Sequence, residues 1–239
     1  METEIPALLR AREPEAPDEA FTFHSSRMRM RRVTPEELRA MNDQTARAAA
    51  ELADARCDVV ATACLVALMA QGPGFHCTAE DEIRAALRAE GSPAPVVSSA
   101  GALLDGLRAL GAQRIAMVTP YERPLTKLVA DYIEAGGVEV HDAVSLEVAD
   151  NQAVAALDPA DLQEHWRRLD LAGCDALVLS ACVQMPSLPA IDPVERACGL
   201  PVISAATATA FAMLRALGLA TRIPRAGHLL AGDLGAVSA

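Results

Sequence analysis

The sequence has few aromatic residues and no excess of positive charge. Phe, Trp and Tyr make up 3% of its 239 residues, and 21 lysines and arginines face 32 acidic residues, which gives a formal net charge of −11. Proteins that bind nucleic acids present a basic surface to the phosphate backbone. The arginine-rich stretch at residues 27–32 is short, so we expect no nucleic-acid partner.

Long hydrophobic runs are also missing. No apolar run reaches the roughly 18 residues that span a bilayer, and the first thirty residues lack the central apolar stretch of a secretory signal. We therefore expect a cytoplasmic protein with no membrane contact. With 51% hydrophobic residues, the chain still has enough apolar side chains and enough length to bury a substantial core.

The six cysteines show no CxxC pair and no paired-ligand spacing with the five histidines. A zinc site is therefore not expected, and a reducing cytoplasm disfavours disulfides. The thiols are then either buried apolar filler or reactive groups. They are Cys57, Cys64, Cys77, Cys174, Cys182 and Cys198.

Short apolar runs alternate with helical patterns along the chain, which is typical of an α/β fold with parallel sheets. The two halves of the chain also look like copies of each other. Cys57–Cys64 (CDVVATAC) is matched by Cys174–Cys182 (CDALVLSAC), and the LRALG of Leu107–Gly111 recurs at Leu214–Gly218. We therefore predict two Rossmann-like βα lobes related by a pseudo-twofold axis, with the active site in the cleft between them.

The repeat places the N-terminal lobe at residues 1–111 and the C-terminal lobe at 112–205, followed by a helix and tail at 206–239 that can cross back to the first lobe. The second lobe opens with a strand, whereas the first opens with a helix at Glu2–Arg10 and continues with a strand pattern at Phe21–Met30. We expect that the first lobe lacks its opening strand and that the true amino terminus lies upstream. A parallel sheet without an inner strand would expose apolar faces and backbone edges.

Cys64 and Cys182 each end an apolar strand, at corresponding positions of the two halves. Ligands bind at the carboxyl ends of such strands, where the following backbone N–H groups favour a thiolate and hold carboxylate oxygens. This matched context favours two reactive thiols that face one small molecule; two buried core cysteines are the alternative. The other four cysteines are predicted to be structural. Tyr121 and Asn151 are candidate carboxylate ligands, with a packed ring and a turn asparagine as the alternatives.

Four segments around these residues resemble one family, the maleate cis-trans isomerases of the aspartate/glutamate racemase superfamily. The segments are Ala63–Ala67, Val118–Tyr121, Val148–Asn151 and Ser180–Ser187. The resemblance runs from Glu2 to about the last ten residues. It implies conversion of maleate to fumarate without a cofactor, in a homodimer that binds a small dicarboxylate.

The resemblance also implies residue roles. Cys64 would be the nucleophile that forms a succinyl-cysteine adduct, and Cys182 would be its acid/base partner. The two carboxylates would be bound by main-chain groups of Cys64, Leu65, Val66, Val183 and Gln184 and by the side chains of Tyr121 and Asn151.

Two alternatives remain open at the level of sequence. An amino-acid or hydantoin racemase would use the same two thiols to remove and return an α-proton from opposite faces of its substrate. A truncated, inactive dicarboxylate-binding remnant is the second alternative, because members of the resembled family begin with a strand and a loop whose asparagine also binds substrate. This chain begins just past that loop, so the gap against the family coincides with the gap in the internal repeat.

Overall fold

The structure is a computed structural model that describes residues 2–32 and 34–232. The strands of the described part are β1 Val60–Thr62, β2 Val96–Ser98, β3 Arg114–Thr119, β4 Glu139–Ser145, β5 Ala176–Ser180 and β6 Val202–Ser204. The helices are α1 Glu4–Arg12, α2 Pro35–Asn42, α3 Thr45–Asp54, α4 Leu65–Met69, α5 Phe75–Ala89, α6 Ser99–Ala109, α7 Arg123–Ala135, α8 Asn151–Ala155, α9 Leu162–His165, α10 Leu188–Cys198 and α11 Ala205–Ala216.

The strands form two parallel sheets, as the alternating pattern predicts. The larger sheet has the order β4-β3-β5-β6, and the smaller one pairs β1 with β2. The strands β3 and β5 are buried almost throughout. Their sequences are nearly continuous apolar runs because helices cover both faces of a parallel sheet. The predicted α/β class is confirmed.

The two halves match most closely where a short strand leads into a long helix. Ser98 ends β2 and its hydroxyl caps α6, accepting from the N–H of Gly101 at 3.0 Å. Ser204 ends β6 and caps α11 in the same way, accepting from the N–H of Thr207 at 3.2 Å. The two LRALG segments lie at the carboxyl ends of these helices, which pack directly against each other. The helix pair α6/α11 therefore joins the two halves of the chain.

One predicted element is wrong. Phe21–Met30 alternates apolar and polar residues like a strand, but in the structure it runs as a chain segment without a strand ladder. Side chains accept hydrogen bonds from its backbone in place of a neighbouring strand. The N–H of Phe21 donates to the Glu13 carboxylate, and the N–H of Arg29 donates to the side-chain oxygen of Gln44. Alternation alone does not create a strand when no paired strand lies alongside.

The smaller sheet differs from its counterpart in the second half. In the described residues β1 pairs with β2 only, whereas the matching strand β5 lies between β3 and β6. The other edge of β1 borders a large cavity. The helix α1 packs on α11 near this cavity, and the guanidinium of Arg12 donates to the carbonyls of Ala220 (2.6 Å) and Arg222 (2.8 Å).

The C-terminal helix α11 contacts α6, β2 and α1, all within residues 1–111. The domain boundaries remain a prediction, and residues 233–239 of the predicted tail lie outside the described residues. Among the helices of the described ranges, none is long and apolar enough to cross a membrane.

The close packing of α6 on its neighbours depends on Gly106. A Cβ atom at this position would lie 2.7 Å from Cδ1 of Ile203, 3.2 Å from Leu229 and 3.4 Å from Cβ of Ala208. We expect Gly106→Val to destabilise the protein by about 1–3 kcal/mol, because overpacking forces helix and strand apart. Thermal unfolding measures this as a Tm lower by roughly 2–4 °C per kcal/mol.

Arg108→Val is the matched control, since it places the same side chain on an exposed position of the same helix. Its Tm shift should be much smaller. Equal shifts for the two variants would contradict the importance of the contact at Gly106.

Candidate active site

A cavity of about 1000 Å³ lies beside β1, where the carboxyl ends of β1, β3 and β5 meet. One of these strands belongs to the smaller sheet and two belong to the larger one, so residues far apart in sequence lie around the same cavity. The structure brings together in this cavity all eight residues that the sequence analysis selected. They are Cys64, Leu65, Val66, Tyr121, Asn151, Cys182, Val183 and Gln184.

Cys64 stands between the end of β1 and the start of α4, at the N-cap position of that helix. The N–H groups of a helix's first residues have no partner within the helix, and here they belong to Leu65 and Val66. Burial raises the pKa of the Cys64 thiol to about 12; the N–H of Ala67 opposes this and the nearby Cys182 adds to it. The thiol is therefore protonated at neutral pH in the unliganded protein.

Cys182 belongs to the loop of residues 181–187 that follows β5, here called the Cys182 loop. The N–H of Ala181 donates to the carbonyl of Val118 on β3 at 3.1 Å. The buried hydroxyl of Ser180 donates to the carbonyl of Cys182 itself at 2.8 Å. Both contacts hold the loop against the sheet edge, and the Cys182 side chain is 9% exposed.

Tyr121 follows β3 and is buried, with 3% of its surface exposed. Its hydroxyl donates to the carbonyl of Ala181 at 3.4 Å. Burial raises the pKa of Tyr121 well above its ordinary value, and the neighbouring thiols Cys182 and Cys64 raise it further. The phenol is therefore a neutral hydrogen-bond donor, close to both thiols.

Asn151 is the first residue of α8, directly after Asp150, whose carboxylate accepts from the N–H of Ala153 at 2.8 Å. The carbonyl of Asn151 accepts a hydrogen bond from Nε2 of Gln184 at 2.5 Å. The Gln184 side chain is thus engaged with the backbone of α8. Only its main-chain groups are then left to contact a molecule in the cavity.

The far wall of the cavity was not anticipated from the sequence. It is formed by the segment that was predicted to be a strand, and it is mixed: Phe21, Phe23, Met28 and Met30 line it together with polar and charged residues at positions 22–27. Cys57, predicted to be structural because it precedes its strand, also borders the cavity. The cavity extends along β1 and reaches both ends of the strand.

Sequence reasoning also missed Glu4, whose carboxylate bonds to the end of the Cys182 loop. No local pattern marks it, because its partners lie more than 180 residues further along the chain.

Comparison with known proteins gives a consistent result. The family model described as arylmalonate decarboxylase matches residues 11–230. A maleate isomerase of Geobacillus stearothermophilus is 56% identical over 232 residues, which cover 97% of this chain and 92% of that protein.

Two solved structures are also similar. A maleate-bound cysteine-to-alanine variant of a Pseudomonas putida maleate isomerase has a TM-score of 0.95 and 55% identity, covering 97% of this chain and 92% of that chain. A cysteine-to-serine variant of the Nocardia farcinica maleate cis-trans isomerase contains a covalently bound succinylcysteine intermediate. It has a TM-score of 0.93 and 51% identity and covers 97% and 93% of the two chains. The family resemblance seen in the sequence is confirmed.

The raised pKa of Cys64 predicts how its reactivity depends on pH. At pH 8 a thiol of pKa about 12 has a thiolate fraction about 10³ smaller than one of pKa about 9. A more basic thiolate is a stronger nucleophile, but this makes up for only part of the rate lost through the smaller thiolate fraction. We expect alkylation of Cys64 by iodoacetamide, followed by peptide mass spectrometry, to accelerate about tenfold per pH unit between pH 8 and 10.

An ordinary thiol of pKa about 8.5 levels off above pH 9 and serves as the reference. Cys64→Ala identifies the modified peptide. A Cys64 rate that levels off with the reference thiol would contradict the protonated state inferred from the burial of this group.

Proposed function

The chain belongs to the maleate isomerases and to the wider arylmalonate decarboxylase family whose model it matches, and from this membership and the cavity geometry we propose that it isomerises maleate to fumarate. The reaction proceeds through a succinyl-cysteine adduct on Cys64, with Cys182 as acid/base partner and without a cofactor. The observation that carries the proposal is the meeting of two strand-end thiols, one from each half of the chain, in one cavity. The succinylcysteine seen in the Nocardia relative supports the adduct.

In the first step, the sulfur of Cys64 forms a bond to C2 of maleate and the electron pair of the C2=C3 bond takes up a proton at C3. Cys182 supplies this proton, and the proton that Cys64 loses returns to the Cys182 thiolate. One S–H group has then been added across the double bond. Covalent catalysis of this kind replaces one difficult step with two easier ones.

In the second step, the adduct rotates about the C2–C3 bond, which is now single. Cys182 passes its proton to the sulfur of Cys64 as the bond from sulfur to C2 breaks, and the Cys182 thiolate takes up a proton from C3. Both thiols are then restored, and the trans product leaves. Negative charge builds on the carboxylate attached to C3 twice, once before C3 takes up a proton in the first step and once as C3 loses a proton in the second. Donors that already point to this carboxylate stabilise that charge without reorganising.

The proposed donors to the carboxylates are the main-chain groups beside the two thiols and the side chains of Tyr121 and Asn151. Tyr121 fits this role because its phenol is neutral and lies next to both thiols. Since the chain carries a net charge of −11, these local dipoles must outweigh the overall field to attract a dianion. Backbone N–H groups at a helix start suit that task.

The thiol assignments predict different outcomes for two single variants. Cys64→Ala should abolish turnover of maleate, because no other sulfur is proposed to attack the double bond. Cys182→Ser should turn over slowly and should carry the mass of maleic acid on the peptide that contains Cys64. Liquid chromatography of maleate and fumarate together with intact-protein and peptide mass spectrometry measures both.

Cys77→Ala is the control, because Cys77 is exposed and lies outside the described lining of the cavity. Retained activity with an unmodified Cys64 would refute the assignment. Activity on D- and L-aspartate, with solvent deuterium entering at the α-carbon but no conversion of maleate, would favour the racemase alternative. Absence of both activities would favour the non-catalytic remnant.

The cytoplasmic location, expected from the lack of long apolar runs, remains a prediction, as do the homodimer and the absence of a cofactor that the resemblance implies. Size-exclusion chromatography tests the oligomeric state, and dialysis against a chelator before the maleate assay tests the need for a metal.

A further inference from the structure

Glu4, the first residue of α1, has a buried carboxylate with 7% exposure. It accepts hydrogen bonds from the N–H of Ser187 (2.7 Å), from the Ser187 hydroxyl (3.1 Å) and from the N–H of Leu188. These donors lie at the exit of the Cys182 loop and at the start of α10. A carboxylate from the first helix thus contacts the segment that carries the second thiol.

The helix α10 has no N-terminal cap of its own. Ser187 is its N-cap residue, but the Ser187 side chain makes no capping hydrogen bond within the helix, and a proline follows near the start. The Glu4 carboxylate takes over this function from another element. A negative group at a helix N-terminus is favourable both for its hydrogen bonds and for its interaction with the helix dipole.

The Cys182 loop is fixed at its entry and in its middle by groups of the second lobe. Ser180 and the Val118 carbonyl hold its entry, and the Gln184 side chain bonds to the carbonyl of Asn151. The exit is held by Glu4 of the first lobe. Because the loop is only seven residues long, a shift of its exit changes the place of the Cys182 sulfur.

The helix α1 provides a firm base for this contact. Its side chains Ile5, Leu8 and Leu9 are each at most 2% exposed. Arg12 ties the other end of the helix to the backbone of Ala220 and Arg222. Glu4 is therefore fixed relative to the core, and its hydrogen bonds fix the exit of the Cys182 loop relative to the core as well.

From these contacts we infer that Glu4 is a positioning residue that holds Cys182 in place for proton transfer at C3 of the adduct. The inference rests on the proposed isomerisation. Glu4 also borders the cavity, but its carboxylate already accepts three hydrogen bonds and would repel a dicarboxylate. It acts through Cys182, without contacting the substrate.

The test is Glu4→Gln, which keeps the size of the side chain but replaces one accepting oxygen by a donating NH₂ group. We expect kcat for maleate to fall about 10- to 100-fold, a range typical of misplaced catalytic groups, with KM changed less than about threefold. The fraction of protein with a succinyl adduct on Cys64 at steady state should rise towards that of Cys182→Ser. A merely structural role would lower the Tm and the amount of active protein, without changing the adduct fraction per active molecule.

Glu36→Gln is the matched control, because it makes the same change on an exposed side chain that pairs with Arg39 on its own helix and lies outside the described lining of the cavity. A second comparison places Glu4→Gln in the Cys182→Ser background. If Glu4 acts through Cys182, the rate of adduct formation should there change less than about twofold, since residues that act as a unit are not additive. The inference would be overturned if the rate of adduct formation fell 10- to 100-fold in this background as well. It would also be overturned if the adduct fraction were unchanged in the Glu4→Gln single variant.

A failure of the proposed isomerisation itself gives a different result: the wild-type protein would neither convert maleate nor form an adduct. In that case the alkylation rate of Cys182 by iodoacetamide decides the positioning role. A rate in Glu4→Gln that differs at least threefold from that in Glu36→Gln supports it, and a smaller difference overturns it.

Discussion

The site depends on the meeting of two thiols in one cavity, at the point where strands from both halves of the chain end. The low polarity around Cys64 raises the pKa of its thiol to about 12 and so keeps it neutral. Neutral sulfur is inexpensive to bury, whereas an isolated thiolate in the same place would be costly. The proposed attack therefore requires that the proton leaves Cys64 as the bond to carbon forms, and this gives Cys182 its part in the mechanism.

Proton transfer between the two thiols needs them to stay in place, and each lies on a short segment next to a strand end. Cys64 lies between β1 and a helix of five residues, and Cys182 opens a short loop that is fixed at both ends. The helix pair α6/α11 locks the two halves of the chain together behind them. Close packing at that pair matters for the chemistry, because catalytic groups must keep their geometry to within a fraction of an ångström.

Function in this family follows from side chains placed on a shared framework. The same fold carries decarboxylases and isomerases, as the match to the arylmalonate decarboxylase model and the similarity to maleate isomerases together illustrate. A fold match alone would not separate these activities. In this chain two thiols and a neutral phenol share one cavity, and the proposed isomerisation rests on that arrangement.

The sequence by itself determined the α/β class and the duplicated strand and helix pattern, and it marked Cys64, Cys182, Tyr121 and Asn151 as site candidates, because local periodicity and strand-end position are properties of neighbouring residues. The other four candidates came from the family resemblance, and all eight line the cavity. It failed for Phe21–Met30, where alternation suggested a strand but no paired strand lies alongside. It gave no sign that Glu4 caps a helix more than 180 residues away, or that burial raises the pKa of Cys64. Only the tertiary structure decides such features, since pairing, desolvation and capping between distant elements depend on which groups the folded chain brings together.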